Sequence, residues 1–179
     1  MKKIVLTYGL ISAVLFSGVM ALSWSAMNAE SSYRGAEYIG FSSMFVALSV
    51  IFFAILKHRN NLGGTISFGK AFMVGFWISL IVTLAYVSTW MTMTSIKPEM
   101  MDKFFEMQHT HIMAKDLPEA ELNAKLADAK EMKVKYVNSA GYRIVATMIE
   151  IFPIALLITL ISSLILSKKK NPNEQVVLD

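Results

Sequence analysis

Four apolar runs set the rhythm of the chain: Ile4–Trp24, Ala36–Leu56, Ala71–Met93 and Ile144–Leu166, none with a lysine or arginine inside it. A hydrocarbon layer about 30 Å thick is crossed by about 20 apolar residues in helical form. Each run therefore predicts one membrane-crossing helix, at about 4–24, 36–56, 71–93 and 144–167. Residues 95–143 form the one long polar connection, and 168–179 form a short tail. The lysine pair before the first run also fits the start of a secretory signal, but the run exceeds the usual apolar core of about 7–15 residues. "SWSAMNA" is a poor cleavage site, so the first run is read as a retained span.

The long connection has its own periodicity. Leu122, Leu126, Ala129, Met132 and Tyr136 recur at helical spacing, and "DLPE" before them offers Asp116 as a cap, Pro118 in the first turn and Glu119 closing a capping box. Glu121–Lys125 and Glu131–Lys135 are spaced to pair one turn apart. The earlier stretch "KPEMMDKFFEMQHTHIM" is also amphipathic, with Met101, Phe104, Phe105 and Ile112 near one face. Two outer helices packed on one another or on the membrane surface are expected, since about 40 residues build little core alone.

Composition agrees with this pattern. The chain is 55% hydrophobic and 17% charged, against about 45–50% and about 25% in soluble domains. It has no cysteine, which excludes disulfide and thiol chemistry. The net charge of +4 does not indicate nucleic acid. The positive residues cluster beside the apolar runs: Lys2 and Lys3; Lys57, His58, Arg59 and Lys70; Lys168, Lys169 and Lys170. Four crossings put all of these on one side, and the excess of basic residues marks that side as cytoplasmic. The expected fold is all-α: an integral membrane four-helix bundle with both ends inside and a helical extracytoplasmic segment between helices three and four.

Small residues recur every fourth position in two runs: Gly9, Ala13, Ser17, Ala21 and Ser25 in the first, Ala155, Thr159, Ser163 and Ser167 in the fourth. That spacing makes a stripe along which another backbone can approach closely, and in lipid such contact drives helices together. The partner helix is expected in the same chain or in another. The Gly-rich loop "NNLGGTISFGK" is turn chemistry; it lacks the phosphate-loop spacing.

Two features carry candidate chemistry. Glu150 is an ionisable group inside the fourth run, three residues before Pro153. A charge there is costly and is expected to face the bundle interior and find a partner. Arg143 lies on the same helical face, about 10 Å away at about 1.5 Å per residue. Tyr86 of the third run falls at the same depth, with Ser42 and Ser17 as weaker candidates. Pro153 leaves the Ile149 carbonyl without its helix donor, which opens room for polar contacts. Glu150 thus reads as a packing residue hydrogen-bonded to Tyr86 or a serine, or as a proton- or cation-binding carboxylate. The second feature is the soft-ligand cluster Met107, His109 and His111 with five neighbouring methionines, which suits copper chemically. Methionine is also a common filler of apolar surfaces, so no metal and no cofactor is assigned.

The "MKK" start, "GGTISFGKAFMVG" before the third run, and "EIFP" in the fourth run ahead of a lysine cluster together resemble a bacterial membrane family, that of domain of unknown function 4199. The most specific pieces are Ile66–Phe72 and Glu150–Pro153. The resemblance spans nearly the whole chain and implies four membrane helices with a long connection between the last two. It implies no reaction, substrate or cofactor. The expectation is a non-enzymatic accessory or scaffold subunit in the bacterial inner membrane, associated with the lipid bilayer and pairing with itself or with other membrane proteins. A small oligomeric transporter or channel using Glu150 is the alternative, and metal handling by the outer segment a further one.

Overall fold

The computed structural model describes residues 1–26 and 33–167, so Lys168, Lys169 and Lys170 lie outside the described residues. Six helices follow in order: α1 (Lys2–Ala26), α2 (Tyr33–Asn61), α3 (Phe68–Ile96), α4 (Glu99–Met113), α5 (Glu119–Asn138) and α6 (Ala140–Leu166). Helices α1, α2, α3 and α6 are long and apolar enough to cross a membrane. Each is longer than the run that announced it, because helical geometry continues into the polar flanks. At about 1.5 Å per residue, the 29 residues of α3 exceed the hydrocarbon thickness, so its ends lie beyond that layer or the helix tilts.

Helix α3 packs on α1, α2 and α6, and α2 likewise packs on the other three, whereas α1 and α6 are not in contact among the described residues. The core lies between them: Phe16 from α1, Leu48, Ile51 and Ile55 from α2, Val74, Ile78 and Val82 from α3, and Ile151 and Ala155 from α6. The outward faces are as apolar as the core. Val14 and Leu22 are 70% and 71% exposed, and Val46 and Ile149 are each 66% exposed. Water does not tolerate such continuous apolar surface on a monomer; a hydrocarbon environment does.

Cross-contacts fix the helix directions. Gly9 meets Ile81, Phe16 stacks on Tyr86 at 4.7 Å and Ser17 accepts from Thr89 at 2.9 Å, so α1 and α3 run parallel. Phe76 meets Phe152 while Gly75 meets Thr159, so α3 and α6 run antiparallel. At one end the amino terminus and Lys70 both act electrostatically on His58, which gathers the first two basic groups of the sequence. The turn there closes tightly. The amide groups of Gly63 and Gly64 donate to Asn60 and Arg59 carbonyls at 3.2 and 3.1 Å, and Arg59 Nε donates to the Gly64 carbonyl at 2.8 Å. Both glycines have positive φ, 81° and 87°, where a side chain is strained.

At the opposite end α4 and α5 form a hairpin. Lys133 bridges it, 3.1 Å from Asp102 and 5.8 Å from the centre of the Phe105 ring. The Glu121–Lys125 and Glu131–Lys135 pairs form at 3.3 and 2.6 Å. The capping box does not form. Helix α5 starts at Glu119 with Pro118 at its cap position and no side-chain cap bond. Pro118 occupies the flanking position itself, which leaves Asp116 too far upstream to reach the first free amide groups.

Candidate functional site: a polar junction at the hairpin end

The small-residue stripes lie inside the chain. On α1, Gly9 and Ala13 are buried, and Ser17 and Ala21 are half-buried. On α6, Ala155, Thr159 and Ser163 are fully buried. The tightest approach joins α6 to α3, where a Cβ on Gly75 would stand 2.5 Å from Thr159 Cγ2. Ser79 donates from its hydroxyl to the Ala155 carbonyl at 3.3 Å and pairs with Thr159 Oγ1 at 3.0 Å. A hydrogen bond between membrane helices contributes about 0.6 kcal/mol on average. Close backbone approach, not polar glue, therefore dominates this seam. Ser12 and Ser79 were not singled out from the sequence. Ser12 is adjacent to Ala13 of the α1 stripe and donates to the Ala47 carbonyl of α2, and Ser79 lies one turn after Gly75 on α3.

Glu150 departs from expectation. It is exposed, and no hydrogen bond or ion pair joins it to Tyr86, Arg143, Ser17 or Ser42. The interior line of α6 runs through Thr147, Ile151, Ala155 and Thr159. Glu150 sits one step around the helix, between that line and the outward-facing Ile149 and Pro153. Glu150 acts electrostatically on the Tyr86 phenol without a hydrogen bond to it. The Tyr86 ring is spent on Phe16. Helix α6 continues unbroken through Pro153, which is exposed.

The polar contacts converge on Tyr136, at the end of α5. Trp90 of α3 donates its indole N–H to the Tyr136 hydroxyl. Thr147 of α6 lies 3.4 Å from the same hydroxyl. Its own proton goes to the Arg143 carbonyl at 2.8 Å, so the phenol donates to Thr147. Rings of Phe105 and Tyr142 meet Tyr136 edge-on at 5.6 and 6.4 Å. One side chain thus ties α5 to α3, α4 and α6. Burial raises the Tyr136 phenol above its ordinary value; the Glu150 charge adds to this, while the hydrogen bond from the Trp90 indole N–H and the Arg143 charge oppose it. Tyr136 was read from the sequence only as a periodic apolar position, because a phenol at helical spacing gives no sign of its hydroxyl partners.

Arg143 is half-buried beside the junction. Its Nη1 lies 3.1 Å from Met101 Sδ, a weak acceptor, and its Nε is buried with no partner. Along one face of α6 the order is therefore Arg143, Thr147, Glu150.

The soft-ligand residues share one helix. Met107, His109 and His111 all lie on α4, and no group of three or more His, Asp or Glu side chains is placed to hold a metal among the described residues. Two residues apart on a helix, the imidazoles point about 200° from one another, so His109 and His111 cannot share one ion from the same helix. His109 is exposed and His111 half-buried.

No curated protein and no solved structure is significantly similar to this chain. The family model described as "Protein of unknown function (DUF4199)" matches residues 6–168, which takes in most of α1 and the whole of the other three apolar helices and of the hairpin; the chain belongs to the DUF4199 family.

Proposed function

We propose that the protein is a non-enzymatic accessory or scaffold subunit of the bacterial inner membrane. Its four spans form a four-helix bundle with both ends in the cytoplasm, and the α4–α5 hairpin stands on the extracytoplasmic side. The clustering of the amino terminus, His58 and Lys70 at the end away from the hairpin supports this orientation. The observation that carries the function is the state of α5. The helix is fixed at its end through Tyr136 to two spans, yet none of its residues is fully buried. A 20-residue helix held firmly along one face, with Leu122, Leu126, Ala129 and Tyr136 half-buried, and open on the other is suited to presentation. Val134 and Val137, 53% and 41% exposed, stand on its outward side among charged residues.

The test is gentle isolation of the full chain in lipid discs, with identification and stoichiometry of what accompanies it. A defined membrane-protein partner, lost when Val134 and Val137 are both replaced by Asp, is expected. Isolation as a lone monomer under every mild condition contradicts the reading. A second reading, a small transporter or channel, draws support from Glu150, an exposed carboxylate on a candidate span with no hydrogen bond or ion pair among the described residues. Glu150→Gln separates the two: it abolishes ion-coupled movement in a transporter and leaves partner recovery unchanged in a scaffold.

A further inference from the structure

The end of the bundle away from the hairpin carries positive charge that no carboxylate answers. Helices α1 and α2 are antiparallel: Ser12 donates to the Ala47 carbonyl, and Val19, further along α1, shares a groove with Ile39, earlier on α2. That register sets Met1 level with His58 and Lys2 level with Lys57. On the parallel α1 and α3, Gly9 meets Ile81 and Ser17 meets Thr89, which sets Lys70 about one turn beyond Met1. The amino terminus, Lys2, Lys57, Arg59 and Lys70 are thus gathered at one level from three helices. Neither Asp nor Glu occurs from Met1 to Ala29 or from Tyr38 to Pro98. On α6 the last carboxylate is Glu150, about 24 Å short of Leu166 at about 1.5 Å per residue. No ion pair joins these basic groups to any described residue. Lys2, Lys57 and Lys70 are exposed. Arg59 is held in place by its Nε bond to the Gly64 carbonyl at 2.8 Å, and its two terminal nitrogens have no acceptor among the described residues. Ser67 makes no side-chain cap bond at the start of α3, so the positive end of that helix dipole adds to the charge.

One to two turns inward the same surface becomes apolar, with Leu6 and Leu10 of α1 and Phe53 of α2 exposed. A soluble anion would answer the charges and leave these side chains bare. We propose that this basic end binds the headgroup of an anionic phospholipid, with its acyl chains against Leu6, Leu10 and Phe53. The depths agree with one leaflet. Phe53 lies about 6 Å from Lys57 along the axis and Leu10 about 12 Å from Lys2, within the half-thickness of about 15 Å of a hydrocarbon layer of about 30 Å. Basic residues beside a span also direct its insertion, but that role ends once the chain is in place, whereas a lipid site persists in the folded protein. The site does not depend on which side of the membrane this end faces, nor on any partner of α5, which lies at the other end of the bundle.

The experiment uses the full chain in lipid discs of mixed composition and reads retained lipid by native mass spectrometry. Phosphatidylglycerol, with net negative charge, is compared with phosphatidylcholine of the same acyl chains, which has none. Saturable retention of phosphatidylglycerol over phosphatidylcholine is expected. Lys57→Gln and Lys70→Gln should each weaken that preference by about fivefold, the effect of one basic side chain near an anionic surface. The control is Lys103→Gln with Lys130→Gln, which removes two exposed charges from the hairpin at the other end and should leave the preference intact. Soluble glycerol phosphate, the same anion without acyl chains, is titrated in parallel and should not compete at concentrations comparable with the lipid. Equal retention of the two lipids overturns the proposal. So does a loss as large in the control as in the Lys57 and Lys70 variants, which would mean that net charge alone decides. Equal affinity for glycerol phosphate overturns the lipid as occupant. If a variant does not fold, the comparison of the two lipids and the competition on the unaltered chain still decide the matter.

Discussion

Gly75 is the residue on which the α3–α6 seam closes. A methyl group there would meet both Cγ2 and Oγ1 of Thr159, at 2.5 and 2.8 Å. Thr159 is fully buried and β-branched, so it cannot swing aside. Gly75→Ala should therefore destabilise by about 1–3 kcal/mol, the usual cost of overpacking, and Thr159→Ala on the same chain should recover most of it. Gly9 gives the contrast. A Cβ there meets the terminal Cδ1 of Ile81 at 2.9 Å, and a terminal methyl can move, so Gly9→Ala should cost less. Thermal unfolding in detergent measures all four chains. The stripes themselves were legible from the sequence, because small residues at every fourth position have few other uses in an apolar helix. Their partner was not legible: nothing in the order of residues says that Thr159 faces Gly75. Glu150 shows the same limit more sharply. Its depth could be counted from the helix end, but a single step around α6 separates the interior line from the outer surface, and counting does not resolve one step.

Among the elements, α5 depends most on a single contact. Tyr136→Phe keeps the edge-on ring contact with Phe105 and removes the bonds with Trp90 and Thr147. The expected loss is about 0.5–1.5 kcal/mol, felt as faster amide exchange in α5 with the spans unchanged. The same hydroxyl makes docking sensitive to alkali. The docked state holds the phenol proton more tightly than the free chain does, because burial raises its value. Docking is then at full strength below pH of about 10, the ordinary tyrosine value, and weakens as pH rises through the higher value of the buried group. Phenolate absorbance should show a late-titrating tyrosine that is missing from Tyr136→Phe; identical titrations would contradict the assignment. The hairpin was foreseeable from its two amphipathic periods and its charge pairs, whose spacing alone sets the helical contact. The start of α5 was not, because Pro118 took the cap position that the capping-box pattern reserves for another residue.

For the molecule as a whole, the central claim is an even number of membrane crossings that separates the hairpin from the chain's basic end. It rests on four helices of sufficient length and apolarity, on outward faces as greasy as the core, and on the placement of the amino terminus beside Lys70 and His58. The four long apolar helices were the most legible feature of the sequence, since the length of an apolar run is read directly from the order of residues. The natural absence of cysteine permits a clean test. Asn61→Cys and His109→Cys, both at exposed positions, are made one at a time and challenged with a membrane-impermeant maleimide on intact cells and again after the membrane is opened. The account predicts that Cys at position 109 reacts from outside and Cys at position 61 only after opening. Labelling of both positions from the same side would contradict it.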